Sequence, residues 1–154
     1  MKRNILTIAL LLLSALLMPL TACSQVRILT DFPSGQGIEK VYISKSMVNL
    51  GLDLADKSLG SYKNSVKNTE GVEVYSCDNP SMIPIIKDKL ETLINNYYAE
   101  IMIESIDENE TSTIYALYND KDRKNSIGIA IIDDDNRNNE INIVIIHGKV
   151  NLNN

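Results

Sequence analysis

The chain has 154 residues, 15 of them basic and 20 acidic, for a formal net charge of −5. That balance excludes nucleic acid or an anionic lipid surface as a partner held by overall charge. With two cysteines and one histidine in the whole chain, a histidine-rich zinc site and a disulfide scaffold are excluded as well.

The first element is an export segment. Lys2 and Arg3 precede an almost unbroken apolar run from Ile5 to Leu20, and Thr21 and Ala22 lead to Cys23. A positive start, an apolar middle and a small-residue exit describe a secretory signal peptide. Pro19 breaks the helix near its exit, and no basic stop-transfer cluster follows, which argues against a permanent span. The exit Leu20-Thr21-Ala22-Cys23 resembles the lipobox of bacterial lipoproteins. The resemblance implies cleavage after residue 22, a diacylglyceryl group on the Cys23 thiol and acylation of its new amino group. One acyl chain holds a protein only marginally, and two anchor it. Cleavage would remove two basic residues and no acidic ones, taking the net charge to about −7 over the remaining 132 residues. With Cys23 carrying lipid, Cys77 has no disulfide partner, so packing alone must hold the fold.

Residues 23–36 are expected as the lipidated cysteine and a tether, with a brief ordered piece at Val26–Leu29. No acidic cluster follows Cys23, which points to an outer-membrane protein whose domain faces the periplasm.

One domain is expected over 37–154. Gly37-Ile38-Glu39-Lys40-Val41-Tyr42-Ile43-Ser44 and Gly71-Val72-Glu73-Val74-Tyr75-Ser76-Cys77 form a near-repeat of glycine turn, β-branched run and helix start. Each reads as a β-α unit. In the first, Ser44 or Ser46 would cap a helix carrying Met47, Leu50 and Leu54 on one stripe, and Ser61–Glu70 would follow as a polar loop. In the second, Asp78 or Asn79 would cap, Pro84 would fall in the first turn, and Ile86, Leu90, Leu93, Ile94 and Tyr97 would line the buried face. After Asn96 the period changes to 2. Tyr98–Ile106, Thr113–Tyr118, Ile127–Ile132 and Ile141–Ile146 read as antiparallel strands joined by polar turns.

The expected fold is α+β, two-layered, with the order β-α-β-α-β-β-β-β. Its sheet would be mostly antiparallel, with both helices packed on one face. Strands 1 and 2, if adjacent, would be parallel with a right-handed crossover. Gly128 and Ala130 suggest a shallow surface on the face opposite Ile129.

The segment Val41–Met47, the strand Gly71–Cys77, the late hairpins and the ending Ile146-His147-Gly148-Lys149-Val150 resemble the DUF4252 family. These are small exported or lipid-anchored domains typical of the Bacteroidetes. The similarity spans about Gly37 to Leu152, and its motifs are strand-helix junctions, not a catalytic signature. The resemblance implies no activity and carries over no catalytic, cofactor or metal residue.

The residues with chemistry in them favour plain roles. His147, the lone histidine, ends the last strand in phase with Ile141, Ile143 and Ile145, and reads as structural. Cys77 precedes a helix start, but Asp78 opposes thiolate formation and burial as a small apolar group is the simpler reading. Asp133-Asp134-Asp135 and Asp107-Glu108-Asn109-Glu110 read as acidic hairpin turns, since the calcium-loop pattern fails at its sixth and twelfth positions. Tyr42, Tyr75, Tyr115 and Tyr118 fall on strands. They read first as sheet formers and second as a partner surface.

Two functional expectations follow. The first is a non-enzymatic, lipid-anchored envelope protein, held to the membrane through Cys23. Its domain would bind an envelope partner or serve a regulatory or structural role, with no cofactor and no nucleic acid. The second is a small-ligand or anion sensor, or an enzyme, using a pocket between two helix N-termini near Ser44, Ser46 and Asp78.

Overall fold

A computed structural model describes residues 27–54 and 68–149, with the side chains of 52–54 excepted. The export segment, Cys23, residues 55–67 and the C-terminal five residues lie outside the described residues. So does most of the loop expected over Ser61–Glu70, whose last two residues belong to a strand.

Among the described residues the period-2 runs form six strands and the period-3.6 runs two helices: β1 (Ile38–Ser44), α1 (Lys45–Leu54), β2 (Thr69–Cys77), α2 (Ile83–Asn96), β3 (Glu100–Ile106), β4 (Glu110–Tyr118), β5 (Ser126–Asp135) and β6 (Glu140–Gly148). A 3-10 turn, Ile28–Asp31, precedes them. The architecture is α+β, as the patterning requires. The sheet order is β1-β2-β6-β5-β4-β3, and every neighbouring pair is antiparallel.

The expected parallel pairing of β1 and β2 is therefore wrong. Ser44 lies opposite Gly71 and Ile38 opposite Cys77. The chain leaves β1 and re-enters β2 at the same end, so the long connection through α1 acts as an elaborated hairpin loop. Either connection satisfies the same sequence, because α1 begins at Lys45, directly after the strand.

One face of the sheet is built by Tyr75, Cys77, Ile141, Ile143, Ile145, Ala130, Ile132 and Leu117, all buried. Helix α2 covers it with Ile86, Leu90 and Leu93, the stripe expected from the sequence. Each such side chain contributes about 1.5–3 kcal/mol when removed from water. Pro84 sits in the first turn of α2, where its missing N–H costs nothing. The expected cap differs. Met82 occupies the N-cap with no side-chain hydrogen bond, while Asn79 folds the preceding turn by accepting from the Ser81 N–H at 3.1 Å. At its other end α2 closes with Ala99 N–H donating to the Ile94 carbonyl at 3.0 Å and Tyr98 N–H to Asn95 at 3.3 Å. Tyr98 adopts φ +42° there, a left-handed closure usually left to glycine.

The first helix departs from expectation in its packing. It lies against β1 and β2, but Met47 and Leu50 are 58% and 52% exposed. Part of the expected tether is also packed. Leu29 and Phe32 are in the core, and Phe32 meets Tyr75 edge-on at 5.4 Å. A large apolar side chain every third residue gives this turn one buried side, which the short polar surroundings disguise.

Gly128 and Ala130 lie on the face under α2, not on the free one, since Ala130 is opposite Ile145 and Gly128 opposite His147. Asp133–Asp135 belong to β5, so the turn is Asn136–Asn139.

Candidate functional site

Glu73 is the centre of a buried hydrogen-bond arrangement among the described residues. It alternates in phase with Tyr75 and Cys77, so β2 points it into the covered layer, where it is 5% exposed. Its neighbour across β1 is Tyr42 and across β6 is Ile145. Desolvation of a carboxylate is costly unless donors surround it. Three do. His147 Nε2 lies 2.6 Å from Oε1, the Ile28 N–H donates to Oε1 at 2.7 Å, and the Leu29 N–H donates to Oε2 at 3.0 Å. Burial pushes the Glu73 carboxyl up, but the His147 contact and the two backbone donors outweigh it, and the group titrates below its ordinary value.

The donors come from distant parts of the chain. Ile28 and Leu29 are the first turn of the 3-10 segment, whose free N–H groups need an acceptor. His147 is on the last strand, facing β2. Glu73 thus ties both ends of the domain to a central strand. The same region is reinforced by Lys40 Nζ donating to the Phe32 carbonyl at 2.6 Å and Tyr75 OH donating to Pro33 at 3.2 Å. The Arg27 guanidinium stacks on Tyr42, 4.0 Å from the ring centroid. Burial, with a smaller contribution from Cys77, pushes the Tyr75 phenol up to about 12. Tyr97 also moves up, through burial and then the charge on Glu73.

Chemically this is a clamp. Both carboxylate oxygens are engaged, and His147 Nε2 faces the same group. A shallow cleft of about 230 Å³ beside it is lined by Arg27, Leu29, Thr30, Lys40, Val41, Tyr42, Glu73 and Val74, with no serine or cysteine to act as nucleophile. His147 thus meets Glu73, a partner the sequence reading did not name.

The other candidates separate. Ser44 and Asp78 stand at opposite ends of the β1–β2 pair, about 20 Å apart at strand spacing. Antiparallel pairing is the reason, and the pocket expected between two helix starts at Ser44, Ser46 and Asp78 does not form. Cys77 is fully buried, its Sγ 3.8 Å from the Asn79 carbonyl. Asp134 pairs with Lys87 at 2.6 Å, and Asp135 accepts from the Arg137 and Asn138 N–H groups. Those bonds, chiefly from Asn138, lower the Asp135 carboxyl. Among the described residues no group of three or more His, Cys, Asp or Glu is placed to hold a metal. Tyr42, Tyr75 and Tyr115 face the covered layer, Tyr42 opposite Glu73 and Tyr115 opposite Ala130, so these three do not build the free face.

The free face is aliphatic. Register carries one row across all six strands through Val41, Val74, Val144, Ile131, Ile114 and Ile103. At its ends Val41 and Ile103 are more than half exposed. At the β3 edge, Ile101, Met102, Ile103 and Ile106 are all exposed, and no residue of that strand is buried.

The sequence matches a family described as Domain of unknown function (DUF4252) over residues 33–154. The chain belongs to the DUF4252 family. No curated protein and no solved structure matches it. Membership in DUF4252 supplies no activity, so the clamp and the two exposed edges must be interpreted on their own geometry. The match begins at residue 33, just beyond the packed turn that Glu73 holds.

Proposed function

We propose that this DUF4252 protein is a non-enzymatic lipoprotein of the bacterial envelope. It is anchored through Cys23 to the outer membrane, with its domain facing the periplasm, and it engages a protein partner at the β3 edge. The observation that carries the binding role is β3 itself. It ends the sheet, leaves a row of backbone groups unpaired by any described strand, and exposes four large apolar side chains. An exposed edge of this kind is a template for an added strand, with main-chain hydrogen bonds supplying affinity and alternate side chains supplying selectivity. The extended segment of an envelope protein fits that geometry.

Two experiments test the two halves. Cys23→Ser is expected to abolish lipid labelling and release the protein from membranes, and continued labelling would refute the anchor. A photo-crosslinking residue at Ile106 is expected to trap one discrete partner in intact cells, whereas the same residue at exposed Glu91 on α2 traps none. Adding Ile103→Lys should remove the product, since an edge lysine discourages strand addition. Equal crosslinking at both positions, or a product indifferent to Ile103→Lys, would refute the edge.

A further inference from the structure

The large exposed apolar side chains fall mainly into two groups, at opposite ends of the sheet. Ile101, Met102, Ile103 and Ile106 belong to β3. Val41, Met47 and Leu50 belong to β1 and to α1, which directly follows it. The strand order places five inter-strand gaps between these edges, a distance of about 24 Å. Met47 and Leu50 are three residues apart on one side of α1.

We infer that the β1–α1 edge, through Val41, Met47 and Leu50, rests on the lipid bilayer, so that the sheet stands on the membrane with its β3 edge pointing away. This rests on the lipid anchor at Cys23 proposed above. The occupant of the edge is decided by the length of chain that precedes it. Four residue steps join Cys23 to Arg27, a reach of at most about 14 Å when fully extended. Arg27 is not a free end. It stacks on Tyr42 of β1, and the next two residues donate to buried Glu73. The chain is therefore held beside the β1 edge from residue 27 onward, and the domain cannot stand on its far edge, about 24 Å away, within that reach. Val41 lies next to Tyr42 on β1, and Met47 and Leu50 are on the helix that directly follows that strand, so all three belong to the same edge of the sheet. Apolar side chains held within a short tether of a bilayer lose water by entering its interfacial region, and the lipid supplies the effective concentration that makes weak insertion persist.

The arrangement gives the two apolar groups different work. One orients the domain, and the other is presented about 24 Å farther out, clear of the headgroups.

Site-directed spin labelling of the full lipidated protein tests this. Nitroxides are attached at Met47→Cys, at Leu50→Cys and, as the distal position, at Ile106→Cys, in vesicles of phosphatidylethanolamine and phosphatidylglycerol. Cys77 is buried and Cys23 carries lipid, so the introduced thiol is the reactive one. All three positions are more than half exposed, so the substitutions leave the core intact. The labels at 47 and 50 are expected to lose most of their collisions with an aqueous nickel chelate and gain collisions with oxygen on vesicle binding. The label at 106 should change in neither. Protein that cosediments with vesicles while 47 and 50 remain as water-exposed as 106 overturns the docked edge and leaves the anchor standing. Protein that carries no lipid and stays in the supernatant overturns both.

Discussion

Replacing Glu73 by alanine is expected to cost about 3–5 kcal/mol, since each buried donor left without a partner costs about 1–3 kcal/mol. The loss has three parts that share one cause. His147, the Ile28 N–H and the Leu29 N–H all keep their positions in the packed layer and lose their acceptor together. Against a typical total stability of 5–15 kcal/mol this is a large fraction, and the melting temperature should fall by roughly 10–20 °C. The local signature is more specific than the melting point. Amide exchange at Ile28 and Leu29 should rise well beyond the global change, because the 3-10 turn depends on this carboxylate. Protection there that merely tracks global stability would show that Phe32 and Leu29 hold the turn unaided.

Acid acts on the same group. The Glu73 carboxyl titrates below its ordinary value of 4.5 in the folded protein. Its contribution is therefore fully present above about pH 4.5, and it is lost as pH falls through the depressed folded value. Glu73→Gln retains an acceptor oxygen but cannot titrate. It is expected to be less destabilising than alanine, and its stability should vary less over that acid window than that of the parent. Parallel acid profiles for the two proteins would assign the linkage to other carboxylates.

The elements easiest to read from the sequence were those with one regular period. The α2 stripe Ile86, Leu90 and Leu93 and the four late strands needed only periodicity, and α2 and three of those strands supply the core while β3 buries no residue. Strand direction in the first half was not legible. Two β-α units in succession are compatible with a crossover or with a return to the same end, and periodicity does not contain that choice. Misjudging it created the expected pocket at Ser44 and Asp78, whose two halves face opposite ends of the sheet. Glu73 was obscured differently. Val72 and Val74 occupy the other phase of β2, so the apolar alternation points equally well to either face. The available signal was its phase with Tyr75 and Cys77, together with a lone histidine in phase with Ile141, Ile143 and Ile145. Both were charged or titratable groups at core phase, and each answers the other. The Phe32 turn was hidden because two anchoring side chains, Leu29 and Phe32, are too few to establish a period.

Gly128 shows how a small residue can mislead and what it does instead. Its place on the face opposite Ile129 suggested a shallow surface, and that face is the covered layer, where it lies opposite His147. A Cβ on Gly128 would run into the backbone carbonyl oxygen of Ile146, which belongs to the neighbouring strand and cannot rotate away. The register of β4 against β5 also shifts nearby, between Leu117 and Tyr118. Gly128→Ala is therefore expected to push β5 from β6 and lower stability by about 1–3 kcal/mol, the range for overpacking a filled interior. A urea midpoint reduced by about 1 M would be consistent with that cost. Gly51→Ala supplies the contrast in the same assay. Nothing lies within 4 Å of its added carbon, and Gly51 is inside α1. Alanine there should raise stability by about 0.5–1 kcal/mol through helix propensity and unfolded-chain entropy. If both alanines move the midpoint the same way, the approach of β5 to β6 is not what requires glycine at 128. If they move it in opposite directions, the close pairing that brings His147 to Glu73 depends on the absence of one methyl group.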